Sequence, residues 1–189
     1  IIATNKKENL YFNNVAVSES GKYIAYTENS FGKISVYLRD RDTGNKTRIL
    51  QGGYQVEADH MDQDLPLLDF AGDNILGVIY FKRGFLYLAS YHIETGLLNE
   101  KPLTRFNQIK SFSLNQNGRL AIISGDTDGK SDLFLVSVLR NSVRRITSDI
   151  FDDIDPTFIP GTAAIVFSSN RPSDALNISD TSIKYLNDH

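Results

Sequence analysis

The sequence contains no cysteine, which excludes disulfides, thiolate metal sites and a cysteine nucleophile. The compartment stays open, because a cysteine-free chain is at home in reducing and oxidising surroundings alike. There is also no block of like charge: 20 Lys and Arg stand against 23 Asp and Glu, for a net charge of -3. No phosphate-tracking stripe is written into such a pattern, so nucleic acid is not an expected partner. The longest apolar runs, Ile75–Phe81 and Phe85–Tyr91, fall far short of the roughly 20 residues that span a bilayer as a helix. No Gly-x-Ser-x-Gly elbow and no glycine-rich phosphate loop occurs, so neither a hydrolase nucleophile nor a nucleotide cradle is signalled. The chain starts at Ile1 and its one methionine is Met61, from which a processed or excised piece of a longer protein is expected.

What is present is a repeat. Val15-Ala16-Val17, a Ser18-Glu19-Ser20-Gly21-Lys22 turn and Tyr23-Ile24-Ala25-Tyr26-Thr27 make a hairpin signal. The alternating run Ile34–Asp40, an Asp42-Thr43-Gly44-Asn45 turn and Lys46–Leu50 complete a four-strand meander. The same order returns from Pro66 to Leu103 and again from Ser111 to Thr147, and it starts once more at Asp152. Gly21, Gly72, Gly118 and Gly161 hold the same first-turn position, recurring every 40–50 residues or so, which is the period of a four-stranded propeller blade. A helical solenoid would need a 3.6-residue apolar period, which is not found, and a sandwich gives no reason for turn chemistry to recur in phase. The expectation is an all-β chain: one β-propeller region over 1–189, with four-stranded antiparallel blades near 14–59, 64–106 and 109–149 and an incomplete one at 153–189. Three to four blades fall below or at the low end of the roughly 4–8 that close a ring, so an incomplete ring is expected.

Asp155-Pro156-Thr157-Phe158, Pro160-Gly161 and Ile165-Val166-Phe167-Ser168-Ser169-Asn170-Arg171 resemble the repeat of TolB-like propellers, approximately Asp-x-x-Pro, an aromatic, Pro-Asp-Gly and an apolar strand ending Phe-x-Ser-x-Arg. Val17–Tyr26 and Ser113–Ile122 are similar, and so is Leu133–Val136 followed by Arg145-Ile146-Thr147-Ser148-Asp149. The Asp of Pro-Asp-Gly is replaced throughout, and the second copy is degenerate. The resemblance implies an exported bacterial protein, periplasmic or at the cell envelope, with its signal peptide removed, that binds other proteins as a non-catalytic scaffold. One propeller scaffold also serves other trades. The alternatives are a propeller gating a prolyl oligopeptidase-type peptidase whose catalytic domain lies elsewhere, and a glycan-binding or lyase propeller.

The candidate sites are few. Asp126, Asp128 and Asp132 have the acidic spacing that opens a calcium loop, since hard cations want several carboxylate oxygens on a tight turn. The distal bidentate Glu of an EF-hand is missing, and Asp-Gly equally makes a plain hairpin turn. Beyond calcium there, no cofactor is expected. Asp149, Asp152, Asp153 and Asp155 cluster at a blade junction, where Asp also serves as turn grammar and where Arg171 is placed to pair with a carboxylate. Tyr11, Tyr54 and Phe151 fall at predicted junctions. Together with Asp152 and Asp153 they form the candidate binding rim for a protein or, alternatively, a glycan. His60 lies among acids but has no second nitrogen ligand in view for a metal.

Overall fold

The computed structural model describes residues 10–31, 33–54, 65–127 and 129–172, without the side chains of 52–54. Tyr54 keeps a described backbone, paired with Lys33 at the end of a strand; its side chain, His60 and Asp128 lie outside the described residues. Among the described residues, fourteen strands are arranged in four sheets. Strands β1 (Leu10–Val17), β2 (Tyr23–Ser30), β3 (Lys33–Asp40) and β4 (Lys46–Tyr54) form the first blade as an antiparallel meander. Strands β5 (Leu67–Ala71), β6 (Ile75–Lys82), β7 (Phe85–His92) and β8 (Leu98–Pro102) form the second. The third has β9 (Gln108–Leu114), β10 (Leu120–Asp126), β11 (Ser131–Ser137) and a short β12 (Val143–Arg145). A fourth sheet begins with β13 (Asp153–Phe158) and β14 (Ile165–Ser169). The chain is therefore an all-β propeller arc, and its described blades do not close into a ring.

Local chemistry explains the regularity. The first turn of each blade puts a glycine at positive φ, at 74°, 58°, 65° and 73° for Gly21, Gly72, Gly118 and Gly161, a region where a Cβ is costly. At Gly118 space adds to the demand, since a Cβ would come within 2.5 Å of Ile75 Cδ1 on the neighbouring blade.

The core lies between blades rather than within one sheet, as in any stack of units that cannot each bury two faces alone. Leu76, Val78 and Tyr80 of β6 face Ala25, Val36 and Leu38 of the first blade. The opposite face, with Ile79 and Leu86, packs on Phe112, Ile123 and Phe134 of the third blade. That two-sided burial is why β6 and β10 read as nearly continuous apolar runs. Strand β1 alternates between half-buried and exposed positions, since only one of its faces meets a neighbouring blade.

Candidate functional site

The innermost strand of each blade runs in the same sense, so the four turns that follow β1, β5, β9 and β13 meet at one end of the arc. There they enclose a cavity of about 260 Å³. Val17 and Glu19 contribute from the first blade, Asp69 and Phe70 from the second, and Ser113 and Gln116 from the third. Thr157–Thr162 close the fourth side.

Hydrogen bonds between blades fix this mouth. Ser20 donates through its N–H and its hydroxyl to Asp73 Oδ1, at 3.0 and 2.9 Å. These donors, the backbone N–H first, hold the Asp73 carboxyl below the usual carboxylate range. The Leu114 N–H donates to Asp69 Oδ2 at 2.6 Å. Burial pushes the Asp69 carboxyl up, against the opposing pull of that N–H and the Ser113 hydroxyl. Glu19 and Asp69 are the two titratable side chains that line the cavity. The mouth is thus an acidic, partly apolar recess suited to N–H donors and cations of an incoming segment. Among the described residues, no histidine lines it beside its hydroxyls.

The residues singled out from the sequence lie elsewhere. Tyr11, 58% exposed, sits at the start of β1, and Phe151 precedes β13, so both belong to the end opposite the mouth. Asp152 is exposed, accepts from the Ser131 N–H at 3.0 Å and donates its own N–H to Asn170 Oδ1. Asp153 is fully buried, with Arg171 Nη2 at 2.6 and 2.5 Å from its two oxygens. That placement makes it an internal ion-pair residue rather than part of an exposed rim, because a buried carboxylate takes its counter-charge from within.

The calcium-loop spacing also comes apart. Asp126 accepts from the Gly129 N–H and shapes the hairpin, while Asp132 is buried on Arg145 and Thr147. Burial raises the Asp132 pKa, opposed by Arg145. The carboxylates that do converge are Asp132, Asp149 and Asp153, within 4.8 Å of one another. Two guanidinium groups, Arg145 and Arg171, occupy the place that a cation would take. Asp69 and Glu19 went unnoticed in the sequence. The available signal was a carboxylate inside an otherwise apolar innermost strand, Leu67-Leu68-Asp69-Phe70.

No family model and no curated protein matches the sequence. Solved structures do match the fold. A putative TolB from Agrobacterium tumefaciens superposes with a TM-score of 0.67 at 18% identity, over 88% of this chain and 56% of that one. TolB from Acinetobacter baumannii gives 0.60 at 16% identity, over 85% and 41%. A prolyl endopeptidase gives 0.59 at 10% identity, over 82% and 24%. The chain spans about half the length of the TolB structures it resembles. At such identities the likeness establishes a TolB-like propeller fold.

Proposed function

We propose that the chain is part of a non-catalytic propeller scaffold for protein–protein interaction in the bacterial cell envelope, receiving a partner segment at the mouth of the innermost strands. The observation that carries this is the recess itself: a cavity of about 260 Å³ where four blades converge, lined by Glu19 and Asp69 with apolar walls from Val17, Phe70 and Phe158. Such a recess recognises a peptide by its N–H groups and a basic side chain, using affinity that packing supplies and charge that directs. The envelope location rests on the TolB resemblance.

A photo-crosslinking residue at Gln116, which lines the mouth, tests it in the cells that make the protein, with the same residue at the exposed Phe31 as reference. A discrete adduct from position 116 and none from 31 supports the mouth as the contact. Equal labelling from both positions, or none from either, removes it.

The superposition on a prolyl endopeptidase supports a second reading, a propeller gating a hydrolase domain. The complete reading frame decides between the two: a Gly-x-Ser-x-Gly elbow with its Asp and His beyond this chain would favour the peptidase.

A further inference from the structure

A second recess lies on the outer wall, between the second and third blades. The end of β8 and the connection that follows it, Lys101–Phe106, form one side, and Asn141–Val143 form the other, around about 460 Å³. Among the described residues, its charged lining is Lys101 and Arg105, with no carboxylate. The Lys101 ammonium donates to two backbone carbonyls, Ser137 O at 2.9 Å and Arg140 O at 2.7 Å. Among the described residues it has no carboxylate partner, and burial pushes its pKa down. The preceding residue, Glu100, faces the other side of β8, where Lys82 Nζ meets it at 2.8 Å and the Tyr80 hydroxyl donates to it.

Two segments that border the groove carry the same excess. Residues 101–125 include Lys101, Arg105, Lys110 and Arg119 without one Asp or Glu, and residues 133–148 include Arg140, Arg144 and Arg145, again without one. The chain as a whole carries a net charge of -3, so the positive wall is a local reversal of sign. Arg145 turns its charge inward onto Asp132; Lys101 and Arg105 are left for the recess. Beside them runs β12, the outermost strand of its sheet, which pairs with β11 over three residues and has no described strand on its other side. An open edge next to unmatched cations suits an extended chain that adds backbone bonds and carries carboxylates on alternate residues.

We propose that this outer groove is an interaction surface, separate from the mouth, that docks an extended acidic segment of a partner protein along β12 with its carboxylates on Lys101 and Arg105. Charge complementarity of this kind directs the choice of partner and speeds encounter.

Fluorescence anisotropy of the full chain in low-salt buffer, with a fluorescein-labelled hexapeptide of alternating Glu and Thr, tests the proposal against the matching Lys and Thr peptide. The acidic peptide is expected to saturate and the basic one not to bind. Arg105→Gln is expected to weaken the acidic peptide about tenfold, one charge-assisted contact's worth. Lys101→Met is expected to weaken it too, but it also removes a tie between blades, so the decisive variant is the one at the exposed Arg105. Equal binding of both peptides, no binding of either, or an unchanged affinity in Arg105→Gln overturns the proposal. Complete displacement by an equal concentration of inorganic phosphate also overturns it, since it would reduce the groove to a bare oxyanion site. None of these outcomes bears on crosslinking at Gln116.

Discussion

Arg171 Nη2 reaches both carboxylate oxygens of Asp153, at 2.6 and 2.5 Å, and lies 3.2 Å from Asp149 Oδ2. All three side chains are almost wholly buried. Asp149 belongs to the connection leaving the third blade and Asp153 opens the fourth, so one guanidinium ties the junction to the end of β14. Removing it leaves two buried carboxylates facing each other without this counter-charge. Arg171→Met is expected to cost roughly 3–5 kcal/mol, read as a lower midpoint in urea denaturation. Arg171→Lys is expected to recover only part, because a point charge lacks the planar fork. A midpoint unchanged in Arg171→Met would show the network to be energetically neutral.

Gly125 is closed to side chains by its neighbour rather than by its backbone. A Cβ there would stand 2.5 Å from Phe106 Cδ1, and Phe106 is already seated edge-on against Phe134, with ring centroids 4.9 Å apart. Gly125→Ala is expected to destabilise by about 1–3 kcal/mol through overpacking. Adding Phe106→Leu should return part of that loss, and a double-mutant cycle measures how much.

Asp69 gives a pH signature. Its folded-state pKa is raised by burial, so the folded state holds the proton more tightly than the unfolded one. The benefit of the protonated form is complete below the unfolded carboxylate value, and it disappears as pH rises through the folded one. Asp69→Asn keeps an oxygen for the Leu114 N–H and removes the ionisation. The variant is expected to be more stable than the parent at neutral pH and equal to it at acid pH. Parallel stability curves across that range would contradict the assignment.

Lys46 lies 3.7 Å from the Tyr37 ring centroid and 2.9 Å from Glu28 Oε2. Its position on an exposed sheet limits the gain to about 1 kcal/mol. Lys46→Met should lose no more than that, and Lys46→Arg should lose less; calorimetry at two ionic strengths separates the screened ion pair from the less sensitive ring contact.

The blades were legible because their signals are local. Turn glycines such as Gly21 and Gly161 and apolar runs such as Ile75–Lys82 depend on neighbours a few residues away, so period and strand order survive without a tertiary structure. The pairing of Arg171 with an acidic junction was legible for the same reason, since the partners lie within one hairpin. The mouth was not. Glu19, Asp69 and Gln116 lie tens of residues apart in sequence, and only the stacking of blades, with all innermost strands in one sense, brings them to one cavity.

By itself the sequence determined the all-β repeat, its turns and the apolar faces that must be covered, because backbone preference and side-chain period act over a few residues. The tertiary structure alone decided which charges share an environment. It turned Asp153 inward onto Arg171 and brought Glu19 and Asp69 into the lining of one cavity. It also left Lys101 and Arg105 together in a groove with no carboxylate among the described residues. Burial and electrostatic partnership depend on distance in space, and in a repeat protein that distance is set by how one blade stacks on the next.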